Sequence, residues 1–121
     1  MSRRNNKTNQ KLIELINQLK EKSRETGSAL WRDVALRLSK SRKNWAQPNL
    51  SRLSRHAPEG AVVLVPGKLL GSGDLEGSPI VAAYSASVGA RDKIIAAGGK
   101  LLTLDDLMKE NPEGKGVVIL G

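Results

Sequence analysis

The sequence predicts an α/β fold: a basic, helical region over residues 1–60, followed by a compact α/β scaffold over residues 61–121. Three observations carry this prediction. Val62 to Val65 are four apolar, mostly β-branched residues in a row, which suits a strand covered on both faces. The residues after them alternate short strand patterns with helical ones, as they do where strands and helices share one core. The charge is also segregated: residues 1–55 hold 14 Lys/Arg against 4 Asp/Glu, and residues 56–121 hold 6 against 8. A solvated surface ordinarily mixes both signs, so this basic first half points to a polyanionic partner.

The remaining composition narrows the class. A chain of 121 residues supports one modest core. It has no cysteine, which excludes a disulfide framework and thiolate metal sites and fits an intracellular protein. No apolar run approaches the roughly 20 residues needed to span a bilayer. The first residues, MSRRNNKTNQ, lack the apolar centre of a signal peptide, so the expected address is cytoplasmic. An anionic lipid surface would suit the charge, but the basic helices carry no exposed aromatic stripe.

In chain order, residues 1–8 form a basic tail with Arg3, Arg4 and Lys7, expected to be disordered in the free protein. Thr8 or Asn9 caps a helix running to about Thr26, with Leu12, Leu15, Ile16 and Leu19 on one stripe. Gly27 ends it, and Ser28 caps a second helix from about Ala29 to Ser39. That helix buries Leu30, Trp31, Val34, Ala35 and Leu38 and shows Arg32, Arg37 and Lys40 on its other side. Asp33 and Arg37 stand at i,i+4 and can pair.

Residues 39–55 hold Lys40, Arg42, Lys43, Arg52 and Arg55 with no acid among them. The first part lacks helical periodicity and reads as a loop. Pro48 suits the first turn of a short third helix, with Leu50 and Leu53 inward and Asn49, Arg52 and Arg55 outward. Trp45 sits in the polar loop, where it either stacks on a base or folds back onto the helices. Three short helices ahead of a strand also fit a helix-turn-helix DNA binder, although the third is short for a recognition helix.

The scaffold begins with the hub, Ala61–Leu75. Pro66 fixes φ and removes a donor, so the first strand is expected to stop at a Pro66-Gly67 turn. Lys68 and the loop Gly71-Ser72-Gly73 follow, then a turn over residues 74–79. Ile80 to Tyr84 is a second strand, and Ser85 or Ser87 caps a helix from about Val88 to Ala97. Ile94 and Ile95 are its expected buried pair, and Gly98-Gly99 closes it. A strand over Lys100–Leu102 comes next, then a capped helix start at Thr103 with acids in its first turn. Asn111-Pro112-Glu113-Gly114 breaks that helix, and Val117–Leu120 is the last strand.

No catalytic constellation emerges. A P-loop needs GxxxxGK followed by Ser or Thr, but Leu69 follows Gly67-Lys68 and position 62 is Val62. The dinucleotide fingerprint fails because Glu76 stands where its third glycine belongs. His56 is the sole histidine, and one histidine without cysteine cannot build a zinc site. No serine lies in a GxSxG elbow, and no carboxylate pair suggests acid–base work. With no Phe and one Tyr, the stacking sheet of an RRM cannot be assembled. What remains is recognition by charge and shape, through Arg and Lys on short helices and loops, which suits folded RNA. Glycines beside Lys68 would let backbone N–H groups approach a phosphodiester, although an ordinary glycine-rich turn is the plainer reading.

Several motifs together resemble one family. They are Lys7-Thr8-Asn9, Trp31-x-Asp33-Val34-Ala35-x-x-Leu38, Asn49-Leu50, Val65-Pro66-Gly67-Lys68-x-Leu70-Gly71-x-Gly73-x-Leu75 and Asn111-Pro112-Glu113-Gly114. They are similar to the L-eighteen-e type of large-subunit ribosomal protein of archaea and eukaryotes, in a superfamily with bacterial L-fifteen. The resemblance runs from about residue 5 to the end. Eukaryotic members carry longer basic extensions that these residues lack, so the likeness is to the archaeal form. It implies an irregular superhelix of β-β-α units behind a basic helical region, no enzymatic activity and no cofactor. The implied partners are large-subunit rRNA and neighbouring ribosomal proteins, with no membrane and no small-molecule substrate. Carried over by position, the implied RNA contacts are Lys7, Thr8, Arg32, Lys40, Arg42, Lys43, Asn49, Arg52 and Lys68. The basic residues Arg3, Arg4, Arg37, Arg55 and Lys115, together with Trp45, join them as candidate contacts from the sequence itself. Gly71 and Gly73 would let the hub loop lie close to RNA.

Overall fold

The computed structural model of the protein describes residues 6–56, 61–75 and 77–120. Its centre is a four-stranded, all-parallel sheet in the order β3-β2-β1-β4. The strands are β1 (Val62–Leu69), β2 (Ile80–Ala86), β3 (Lys100–Leu102) and β4 (Val117–Ile119). Five α-helices are described: α1 (Asn6–Thr26), α2 (Ala29–Leu38), α3 (Leu50–His56), α4 (Val88–Ala96) and α5 (Leu104–Glu110). The predicted α/β class and the order of elements after the hub are both present.

The pleat explains why β1 and β2 read as continuous apolar runs. Leu64 and Ala82 point to a core made with α1, α2 and α5, around Leu19, Trp31, Val34, Leu38, Leu104 and Leu107. Val63, Val65, Leu69, Val81 and Ala83 point to the other face, where Leu50 and Leu53 of α3 and Ala90 and Ile94 of α4 cover them. Both central strands are therefore buried on two sides, as parallel strands must be.

Several boundaries depart from the sequence reading. α1 begins at Asn6, so Lys7 and Thr8 lie within its first turn rather than in a tail ahead of it. Gly27 ends the helix at φ +74°, a conformation that costs glycine little. Ser28 does stand at the N-cap of α2, but its hydroxyl makes no capping bond there; its carbonyl accepts from Ser23 Oγ at 2.8 Å, and its N–H donates to Thr26 Oγ1. Pro48 is not in the first turn of α3; it precedes the helix in an extended segment. In α4, Ile94 is buried but Ile95 is 62% exposed, and the second buried residue is Ala90, one turn earlier. Ser87 caps α4, accepting from the Ala90 N–H at 3.2 Å, and Thr103 forms a complete capping box with Asp106 on α5.

The largest correction concerns the hub. β1 does not stop at Pro66 but continues to Leu69, with a register shift against β2 between Val65 and Lys68. A bulge is where a strand tolerates a residue without a donor. Residues 46–49 run parallel to this far half of β1, bridging Ala46 to Gly67 and Asn49 to Leu70. The Lys68 N–H donates to the Ala46 carbonyl at 3.0 Å, Leu70 to Pro48 at 2.9 Å, and Leu50 back to Leu70 at 3.2 Å. β4 pairs only with Val62–Leu64, so this strap occupies the place beyond its end.

A candidate nucleic-acid interface

The strap brings the basic loop and the end of β1 together. α2 ends at Leu38, and a single 3-10 turn, Arg42–Asn44, leads into Trp45 and the strap. Trp45 holds this corner by three contacts. Its indole N–H donates to the Lys40 carbonyl at 3.0 Å, its ring meets Tyr84 edge-on at 5.0 Å, and Arg42 lies 5.4 Å from the ring centre. Of the two options open in the sequence, the free protein adopts the one in which Trp45 folds back. A cleft beside it is lined by Arg37, Lys40, Asn44, Trp45, Ala46 and Pro66.

Around this corner, Lys40, Arg42, Lys43, Arg52 and Lys68 are exposed. None of them has a carboxylate partner among the described residues. Arg37 does, donating from Nε to Asp33 at 3.0 Å, as the i,i+4 spacing predicts. Asn49 is half-buried at the base of α3, where its carbonyl receives the N–H groups of Arg52 and Leu53. Arg32 lies on the exposed side of α2, and one turn on comes Leu36, 51% exposed, then Lys40. Leu36 was not anticipated; the stripe made by residues 32, 36 and 40 contains the signal that would have found it.

The glycine loop packs closely on its own protein. Gly71 and Gly73 belong to the connection from the end of β1 to the start of β2, Gly71 lying against α4 and Gly73 against α3. A Cβ on Gly71 would lie 2.8 Å from the Ala90 nitrogen, and one on Gly73, at φ +89°, would lie 2.6 Å from the Ser51 Cβ. Lys93 of α4 donates to the carbonyls of Gly71 at 2.7 Å and Gly73 at 3.1 Å. Both glycines are thus needed for close approach to protein. Sequence reasoning missed Lys93 because only the folded path brings it to the loop.

Not every candidate joins this face. Lys115 precedes β4, whose Val117 pairs with Val62, itself roughly 20 Å from Lys68 along β1 at about 3.3 Å per residue. It is exposed and lies 3.8 Å from Glu113. Arg3 and Arg4 fall outside the described residues, as do the side chains of Lys7, Thr8, Arg55 and His56. Among the described residues no group of acids, histidines or cysteines could hold a metal, and no helix is long and apolar enough to cross a membrane.

Comparison with known proteins gives this surface its context. The family model described as Ribosomal protein 60S L18 and 50S L18e matches residues 1–121. The chain belongs to this ribosomal protein family. It is 48% identical over 120 residues to the Large ribosomal subunit protein eL18 of Methanospirillum hungatei, covering 99% of each chain. The same identity and coverage hold for the eL18 protein of Methanothermobacter thermautotrophicus. The eL18 protein of Methanococcus maripaludis is 46% identical over 113 residues, 93% of this chain and 94% of its own. Membership makes the chain a structural ribosomal protein of the large subunit rather than an enzyme. The resemblance drawn from the hub and the Asn-Pro-Glu-Gly turn therefore holds over the full length.

Proposed function

We propose that this chain binds folded large-subunit rRNA through the corner formed by the end of α2, the 3-10 turn, the strap and the end of β1. The observation that carries this reading is the set of exposed cations, Lys40, Arg42, Lys43, Arg52 and Lys68, on and on either side of a strap whose backbone is hydrogen-bonded to β1. Long, unpaired side chains on a fixed base suit phosphates held where RNA segments converge. Arg32 extends the face along α2, Asn49 adds a neutral donor, and Lys115 makes a separate contact from the other end of the sheet. Arg3, Arg4, Lys7, Thr8 and Arg55 contribute from the two flanking stretches. Gly71 and Gly73 act by keeping the hub loop low between α3 and α4, so that Lys68 stands clear of it.

The test is equilibrium binding of the full chain to a large-subunit rRNA fragment across a salt series. Arg42→Gln and Arg52→Gln should each weaken binding and flatten the log–log salt slope by about one, since each lost phosphate contact retains its counterions. An unchanged slope in both variants refutes the assignment.

The competing reading, a helix-turn-helix DNA binder, needs a recognition helix free to enter a groove. Here α3 is seven residues long, buries Leu50 and Leu53, and is tied at its start to Leu70. No observation favours it.

A further inference from the structure

The two edges of the sheet are treated differently. On one edge the far half of β1 is covered by the strap. On the other, β3 pairs with Ile80–Ala82 only and then turns at Thr103 into the capping box of α5. Among the described residues, no strand lies beside Ala83–Ala86 on that side. A groove of about 530 Å³ follows this open stretch, lined by Ala83–Ala86 of β2, Leu101 and Leu102 of β3, and Ile95 and Arg91 of α4. Ile95 accounts for the departure noted in α4: it is the large apolar side chain left in water beside the groove. Arg91 and Lys100 also line it, both exposed and both without a carboxylate partner among the described residues. No Asp or Glu is among the lining residues.

We infer that this groove receives an extended segment of a neighbouring protein, which adds as a strand along Ala83–Ala86 and sets an acidic side chain against Arg91 and Lys100. An uncovered strand edge offers main-chain donors and acceptors, and the adjoining apolar wall selects side chains of the added strand. The two cations choose its charge. RNA meets the cations but offers little to the aliphatic wall of Ile95, Leu101 and Leu102. A second copy of this chain would bring the same two cations to a symmetric contact and repel itself. The groove adjoins the proposed RNA corner, since its Tyr84 meets Trp45 and its Ser85 pairs with Lys68, but its own cations, Arg91 and Lys100, are not among those of that corner, so either assignment can fail without the other.

The experiment places p-benzoylphenylalanine at Ile95 in the full-length protein in cells. Large subunits are isolated on a sucrose gradient, irradiated and digested. The expected product is a covalent link to a peptide that combines Asp or Glu with apolar residues. A synthetic copy of that peptide, added to the isolated protein, should slow amide hydrogen exchange at Ala83–Ala86. The double variant Arg91→Glu, Lys100→Glu should weaken its binding about tenfold or more. Because both side chains are exposed, thermal unfolding of the double variant should match the parent, which separates lost binding from lost fold. A link to rRNA or to a second copy, the absence of any link, or unchanged binding by the double variant each overturns the proposal.

Discussion

Gly67 shows how narrowly the hub is specified at one position. A side chain there would collide with the Ala46 carbonyl, the group that accepts the Lys68 N–H and seats the strap. Gly67→Ala should therefore destabilise the protein by about 1–3 kcal/mol, as overpacking against backbone does. It should also weaken RNA binding without removing any charge; chemical denaturation and the salt-series titration read the two effects. Trp31 is the complementary case, a residue whose role was legible from its place on the apolar side of α2. It is fully buried, and its indole N–H donates to the Pro112 carbonyl at 2.7 Å. Trp31→Phe should lower stability by about 1–2 kcal/mol through the lost bond and vacated volume, seen in the denaturation midpoint. The setting of Trp45 could not be read the same way, because its partner Tyr84 comes from β2 and no local pattern links them.

Among the elements, helix and strand identities were legible because each depends on nearby residues. Glycines and caps set the ends of α1, α4 and α5, and β-branched runs marked β1 and β2. Misreadings arose where a distant neighbour decides. Pro66 looked like a terminus, yet the bulge opposite β2 removes the need for its missing donor. Pro48 looked like a helix start, yet its carbonyl is used by Leu70. In α4 the adjacent isoleucines cannot both face the sheet, since consecutive helical residues point about 100° apart. A pair of variants tests this at the level of the helix. Ile94→Ala should cost about 2–5 kcal/mol, and Ile95→Ala should stay within about 0.5 kcal/mol, both by urea denaturation. Lys93 gives a second test: Lys93→Met should speed amide exchange at Gly71–Gly73, because their carbonyls lose the ammonium that holds the loop down.

For the whole molecule, the segregated charge was the clearest signal of a polyanion partner, and family membership is consistent with it. The order β3-β2-β1-β4 was not legible, since strand neighbours depend on crossovers that no local pattern records. The strap was hidden for the same reason, and it has a thermodynamic consequence. A basic loop with no regular structure would ordinarily order itself on meeting RNA, burying new surface in the process. Here residues 46–49 are hydrogen-bonded to β1, and Trp45 locks the turn ahead of them. Association at this corner should then proceed as the docking of a rigid body. Titration calorimetry at several temperatures should give a heat-capacity change no larger than the contact area itself accounts for. The large negative value of coupled folding should be missing from the parent protein. It should emerge in Gly67→Ala, where the loop has been cut loose from the sheet.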